Sequence, residues 1–249
     1  MKKIDFYDII WIICIYLLCA SLPFGLFIKN DKVCLLLTSI SLVAFLIFIF
    51  YYMKKNKLNE FPFFNKFNKK FLYCIPFYLI CFCNIIYLFV FKISLNEFDL
   101  SLFIIEIFHY LLVSISEEII FRYLVLNNLL KNNSTFKTIL FSSLYFSLMH
   151  IANIFSEISI SNLLFTIAQI GYTFAIGLVL AIIYILSKNI LMPIIFHFLF
   201  NLFNDTLFTI FYSFEKISIE YILFILIFIL IYSVYGLIVY KKEVKNNAR

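Results

Sequence analysis

Three short motifs in hydrophobic stretches contain residue types that could carry out hydrolysis. They are Glu117-Glu118-x-x-x-Arg122, Phe146-x-x-x-His150 and His197-x-x-x-Asn201. A charged side chain at the centre of a bilayer costs roughly 2.5–3.5 kcal/mol on insertion scales, so an intramembrane ionisable residue is a candidate functional residue. Two carboxylates, an arginine and two histidines on three such segments therefore predict a joint chemical site.

These residue types are compatible with two ways of activating water. A buried carboxylate such as Glu117 can act as a general base, which raises the reaction rate by about 10²–10⁴-fold. A His or Asn donor can stabilise an oxyanion, which raises the rate by about 10²–10³-fold. Alternatively, Glu117, His150 and His197 form a zinc-ligand set with an open position for water. Glu117 could not then also be a free base, and the sequence leaves both mechanisms open.

The composition predicts the kind of fold that must position these residues. The 249 residues are 64% hydrophobic, the mean hydropathy is +1.03, and typical soluble domains are about 45–50% apolar. Apolar runs of about 18 residues or more recur along the chain, as in transmembrane helices. We therefore expect an all-α, polytopic membrane helix bundle of about eight transmembrane helices. The net charge of +6 comes from lysines in loops and tails, which favours anionic lipid over nucleic acid as a contact.

Eight hydrophobic segments can be placed along the sequence. Their approximate bounds are 7–28, 33–53, 71–93, 100–129, 135–155, 161–186, 190–212 and 218–240. We expect three regions: residues 1–98, a three-helix membrane region without motifs; residues 99–212, a catalytic helical core; and residues 213–249, a last helix and a basic tail. With eight spans, fifteen Lys and Arg residues fall on the side of the termini and four on the other. This bias predicts cytoplasmic N- and C-termini, and we expect the plasma membrane as the location.

The first two motifs should reach the same depth in the bilayer. The short polar turn of residues 131–134 makes the fourth and fifth segments antiparallel neighbours. At 1.5 Å per residue, Glu117 lies about 20 Å before this turn and His150 about 22 Å after it. By the same count His197 lies only about 12 Å from the preceding loop, so a tilt, a re-entrant start or a misplaced helix boundary must reconcile its depth with that of Glu117.

Helical spacing predicts roles for the residues around the site. Glu118 and Arg122 are four positions apart and suited to an ion pair, which leaves Glu117 free for another partner. A purely structural Glu–Arg pair would explain these two residues but not Glu117. His197 and Asn201 share one helix face in the same way. We also expect Phe146 to pack beneath His150, one turn away.

Two further features carry weaker signals. Gly171 and Gly177 lie on the sixth segment, where small residues allow neighbouring helices to approach closely. Glu106-x-x-His109 has the spacing of a di-iron motif, but the second such motif that a di-iron site needs is absent from the sequence.

The three motifs together resemble those of the CPBP family, the CAAX prenyl proteases and bacteriocin-processing enzymes also called the Abi family. The resemblance covers roughly residues 114–204 and includes the glycine-containing segment between the second and third motifs. It implies an intramembrane endopeptidase in which Glu117 and His150 activate water. His197 and Asn201 would complete the site, supported by Glu118, Arg122 and Phe146. The family is commonly described as metalloprotease, so one divalent metal such as Zn²⁺ on Glu117, His150 and His197 stays open beside a metal-free Glu/His pair.

Other functions remain compatible with the sequence. A non-catalytic membrane immunity or regulatory protein would use the same residues to bind a peptide toxin or partner. A proton-coupled transporter would use the carboxylates and histidines as a relay, although the sequence lacks the internal repeat that many transporters show. The expected partners are a membrane-embedded or lipidated peptide, such as a prenylated or bacteriocin-type peptide, and the bilayer, with the oligomeric state left open.

Overall fold

The computed structural model describes residues 4–20, 30–58, 69–79, 99–155, 159–212 and 219–244, and within them the chain forms eight helices and no strand. The helices are α1 (Phe6–Ala20), α2 (Asp31–Lys55), α3 (Lys70–Leu79), α4 (Leu100–Leu129), α5 (Thr135–Met149), α6 (Ile160–Ser187), α7 (Leu191–Tyr212) and α8 (Ile219–Val239). The side chains of residues 204–212 and 219–225 are outside the description. The predicted all-α fold is confirmed.

Four of these helices are long and apolar enough to cross a membrane. They are Lys32–Lys55, Leu100–Leu129, Thr135–Phe155 and Asn162–Ser187. The third range extends α5 to Phe155, and the fourth lies within α6. Shorter apolar helices occur at Phe6–Ala20, Lys70–Leu79 and Leu191–Phe203. The chain is therefore a helical membrane bundle. The predicted first and third segments extend to residues 28 and 93, outside the described residues, so eight spans and the three-region division stay predictions.

Side chains that accept hydrogen bonds from free backbone N–H groups set where several helices begin. Asp99 accepts from the N–H groups of Ser101 and Leu102 at the start of α4, and Ser159 accepts from that of Asn162 at the start of α6. Such caps satisfy donors that have no partner within the helix. Asp99 therefore sets the residue at which α4 begins, and with it the number of helical residues that precede the motif.

The α4–α5 hairpin forms as predicted, but α4 changes its winding at the motif. Residues Ile119–Leu126 are π-helical and entirely buried, a wider turn that is rare and frequently found at functional sites. Beyond α5 the backbone tightens into a 3₁₀ segment, His150–Phe155. Both changes of winding begin at or next to a motif residue, immediately after Glu118 and at His150.

Helix α6 is the most buried of the four candidate membrane spans, and it supports the motif-bearing helices. Its residues Ala175, Ile176 and Val179 to Ile183 are almost completely buried. The chain then turns at Lys188, which adopts a left-handed conformation with φ of 53°. Asn189 and Ile190 are buried, and the Asn189 side chain accepts a hydrogen bond from the N–H of Leu191. Helix α7 therefore starts inside the protein.

Candidate active site

The buried start of α7 brings His197 to the carboxylates of α4. Its Nδ1 lies 2.9 Å from Oε1 of Glu118, and its Nε2 lies 3.5 Å from Oε2 of Glu117. Counting residues from the loop required a tilt, a re-entrant start or a misplaced boundary to bring His197 to the level of Glu117, and the buried start of α7 accounts for the difference. All three side chains are buried, so one imidazole bridges two carboxylates in the interior.

Glu118 and Arg122 form the ion pair expected from their spacing. Arg122 Nε donates to Glu118 Oε2 at 3.1 Å, and both side chains are fully buried. The guanidinium also donates through Nη1 to Ser142 Oγ on α5 at 3.1 Å, and Ser142 in turn donates to the carbonyl of Phe121. Glu118 is thus held on one side by Arg122 and on the other by His197. A carboxylate in this position can orient the imidazole through its hydrogen bond.

Phe146 packs among the charged and imidazole groups of the site. Its ring lies edge to face with His150 at 5.5 Å and with His197 at 5.6 Å between centroids. The Arg122 guanidinium carbon lies 5.0 Å from the same ring, in cation–π range. The expectation that Phe146 packs beneath His150 is confirmed, and the ring contacts both histidines.

Gly177 allows α6 to approach α5 at this point. A Cβ at residue 177 would lie 3.0 Å from both Cα and Cβ of Ser143 and 3.3 Å from Phe146. A Cβ at Gly171 would meet only Ile229 at 3.6 Å, an ordinary contact. The predicted packing role is therefore specific to Gly177, which brings α6 close behind Phe146.

His150 lies at the end of α5 with an unsatisfied nitrogen. Its Nε2 is buried and has no hydrogen-bond partner among the described residues. A buried polar atom without a partner costs roughly 1–3 kcal/mol, and such atoms in native structures call for a functional explanation. This nitrogen is available to a water molecule or a substrate atom.

A cavity of about 270 Å³ joins the motifs. Its wall includes Glu117, His150, His197 and Asn201 from the three motifs, together with Phe146. Glu118 and Arg122 do not line it, and they contact the cavity residues from behind. The structure therefore brings all four predicted catalytic residues to one space and leaves the predicted supporting pair outside it.

Two residues at the cavity, Tyr16 and His109, belong to none of the three motifs, and His109 is notable in the sequence only for its Glu-x-x-His spacing. Tyr16 of α1 donates a hydrogen bond to Oε1 of Glu117 at 2.6 Å, and it is one of 17 tyrosines, most of them in apolar segments. His109 also lines the cavity, with its Nδ1 3.2 Å from Ser39 Oγ. All three histidines of the chain therefore border one cavity. A search for isolated polar residues in apolar segments would have found His109, but it could not have selected Tyr16.

The three residues suggested as metal ligands are not gathered into one set. Among the residues that the structure describes, no group of three or more His, Cys, Asp or Glu side chains could hold a metal ion. Glu117 and His197 approach each other, but Nδ1 of His197 is paired with Glu118. The metal-bound and the metal-free mechanism therefore both stay predictions.

A helical membrane bundle with a buried carboxylate–imidazole cluster beside a cavity has the features of a membrane-embedded hydrolase. Residues 99–203 match the family model described as type II CAAX prenyl endopeptidase, Rce1-like. The resemblance to CPBP intramembrane proteases is thereby confirmed over the segment that carries the three motifs, and it supports a general intramembrane endopeptidase of the CAAX type. No curated protein and no solved structure shows significant similarity to the chain.

Proposed function

We propose that this protein is an intramembrane endopeptidase that hydrolyses a peptide bond with a water molecule activated by Glu117 and His150. The observation that carries the proposal is the convergence of Glu117, His150, His197 and Asn201 on one cavity. Glu117 faces that cavity while it is buried in an otherwise apolar bundle. A membrane protein that needed only stability would gain little from a carboxylate in this position.

In this mechanism Glu117 is the general base. It takes one proton from a water molecule in the cavity, and the resulting hydroxide attacks the carbonyl carbon of the scissile bond. The same proton is then delivered to the leaving nitrogen as the C–N bond breaks, which regenerates the carboxylate. The contact of Oε2 with His197 Nε2 at 3.5 Å places a second titratable group beside the base, where it can stabilise the charge of Glu117.

The remaining cavity residues supply hydrogen bonds to water and to the oxyanion. The unpartnered Nε2 of His150 can bind the attacking water or the developing oxyanion. Asn201 lies one helical turn beyond His197, and its side-chain amide can donate to the same oxygen. Donors that are already in place contribute most where water is excluded, because the local dielectric constant is low.

The substrate that we propose is a membrane-associated peptide, including a prenylated CAAX-type or bacteriocin-type peptide. The substrate would enter from the bilayer, since the cavity lies within a bundle of apolar helices.

We propose the plasma membrane as the location of the protein, with cytoplasmic termini. Lys32 at the start of α2 pairs with Asp99 at the start of α4 at 2.5 Å, which is consistent with both helices beginning on the same side of the membrane.

The function is tested by comparing peptide termini in membranes from cells that produce the wild type or Glu117→Gln. Gln keeps the shape of the side chain and an oxygen acceptor for Tyr16, but it cannot act as a base. Glu106→Gln is the matched control, because Glu106 lies on the same helix but not at the cavity. New termini should appear with the wild type and with Glu106→Gln and disappear with Glu117→Gln.

An identical set of termini in all three samples, at equal protein abundance, would refute the proteolytic function. If the Glu117→Gln variant still protected cells against a peptide toxin, that result would then support the non-catalytic immunity or regulatory function. Both results come from the same set of strains, since each variant can be assayed for termini and for toxin sensitivity.

A further inference from the structure

Helix α1 lies outside the segment that matches the protease family, yet it contributes a residue to the site. The hydroxyl group of Tyr16 donates to Oε1 of Glu117 at 2.6 Å, across 101 positions of sequence. Tyr16 is 2% exposed and Glu117 is 4% exposed. The tyrosine uses Oε1, whereas the other carboxylate oxygen, Oε2, faces His197. The two neighbours therefore hold Glu117 from two sides.

The position of Tyr16 is maintained by packing between α1 and α2. The Tyr16 ring lies edge to face with Phe45 of α2 at 5.4 Å, and Phe45 is 1% exposed. One turn further along α1, Ser41 of α2 donates a hydrogen bond to the carbonyl of Cys19. A tyrosine ring that packs on one side and donates at its tip is well suited to present a hydroxyl group at a fixed point.

We propose that Tyr16 is a positioning residue for the general base Glu117, so that the N-terminal helix completes the catalytic site. This inference rests on the proposed function. The hydroxyl group has one proton and donates it to Oε1, so rotation of the carboxylate about its last bond would break that hydrogen bond. Oε2 is thereby kept toward His197 and the cavity. A hydrogen bond to a charged acceptor is stronger than one between neutral groups, so this contact restrains Glu117 effectively.

The first test reads the Glu117 carboxyl group directly and needs no substrate. Infrared spectra of the full-length protein in lipid bilayers, taken as wild type minus Glu117→Gln, isolate the carboxyl band of Glu117. We expect Tyr16→Phe to shift this band, because the ring remains but the hydrogen bond is lost. Tyr52→Phe is the matched control: Tyr52 donates to Asp8 at an exposed part of the α1–α2 interface, and its loss should leave the band in place.

The second test separates positioning from a structural role. With a peptide whose cleavage depends on Glu117, Tyr16→Phe should lower kcat by about tenfold or more, with KM within about twofold of the wild type. Tyr52→Phe should change neither constant. Equal thermal stability of the two variants would show that the effect of Tyr16→Phe does not come from loosening α1.

The outcomes distinguish the inference from the proposed function. An unshifted carboxyl band in Tyr16→Phe, or an unchanged kcat, overturns the positioning role even if proteolysis is established. A shifted band without any Glu117-dependent cleavage overturns the proposed function, and Tyr16 then has no role in catalysis. A shifted band together with a reduced kcat supports both.

Discussion

His197 and Glu118 form a contact that joins two of the three motifs, with Nδ1 of the imidazole 2.9 Å from Oε1 of the carboxylate. The two residues are 79 positions apart and lie on α7 and α4. Because Glu118 also pairs with Arg122, a change at this carboxylate affects both a buried cation and the imidazole beside Glu117. A substitution of Glu118 should therefore affect both stability and activity.

Breaking the Glu118–Arg122 pair should be costly, and removing both partners less so. Glu118→Gln or Arg122→Met alone leaves an uncompensated buried charge, and such changes cost roughly 3–5 kcal/mol. The double variant removes both charges, so its free energy of unfolding should exceed the value expected from adding the two single effects. Reversible unfolding of the four proteins in mild detergent gives the coupling energy. Strict additivity would show that the pair contributes nothing specific.

Substitution of His150 should separate activity from stability. His150→Phe keeps an aromatic ring against Phe146 and removes a buried nitrogen that has no partner among the described residues. We expect cleavage to fall by about 10²-fold or more, while the midpoint of thermal unfolding stays the same or rises. Cleavage that persists at the wild-type rate would remove His150 from the mechanism.

The two glycines of α6 should respond differently to alanine. At residue 177 the added methyl group would lie 3.0 Å from the Ser143 backbone, which cannot move as a side-chain tip can, and overpacking of this kind costs about 1–3 kcal/mol. At residue 171 the nearest atom is 3.6 Å away, so Gly171→Ala should be neutral or stabilising by up to about 1 kcal/mol through helix propensity. Thermal unfolding of both variants checks the contrast.

Cleavage should fall only for Gly177→Ala, since Phe146 must then shift beneath both histidines. Equal effects of the two alanine variants on stability and cleavage would contradict the packing role assigned to Gly177.

The ion pair between Lys32 and Asp99 should make part of the stability depend on pH. The hydrogen bond from Lys32, followed by those from Ser101 and Leu102, lowers the pKa of Asp99 below its ordinary value. A carboxylate with a lowered pKa in the folded state stabilises the fold above its unfolded pKa of about 3.9, and this contribution declines as the pH falls below that value.

Asp99→Asn tests this pH dependence, because Asn can also cap α4 but carries no charge. The difference in unfolding midpoint between wild type and Asp99→Asn should be small at neutral pH, as the pair is exposed, and should shrink further in acid and in high salt. A difference that grew as the pH fell would contradict the assignment.

Removal of divalent metal tests the choice between the two water-activating mechanisms. Because Nδ1 of His197 is paired with Glu118 and no group of three or more His, Cys, Asp or Glu side chains among the described residues could hold a metal ion, we expect the cleavage rate to survive dialysis against a strong chelator. His150→Phe, inactive in either mechanism, serves as the blank. Loss of cleavage on chelation, with recovery on adding Zn²⁺, would favour the metal alternative on Glu117, His150 and His197.

The sequence by itself determined the features that depend on local geometry. The helical class follows from composition, the Glu118–Arg122 pair and the packing of Phe146 on His150 follow from four-residue spacing, and the α4–α5 hairpin follows from a short polar turn. Each of these relations lies within one helix or between two consecutive ones. They are fixed by the rise and periodicity of an α-helix and by the length of one loop.

Only the tertiary structure decided which distant residues meet. The contacts of His197 with both carboxylates depend on the buried start of α7, which was only one of several possibilities left open by counting residues from the loop. The hydrogen bond from Tyr16 to Glu117 depends on how α1 packs against α2 and α4. In a chain that is 64% hydrophobic, nearly every helix face can pack against another, so the hydrophobic pattern does not select neighbours. Shape complementarity between helices far apart in sequence makes that selection.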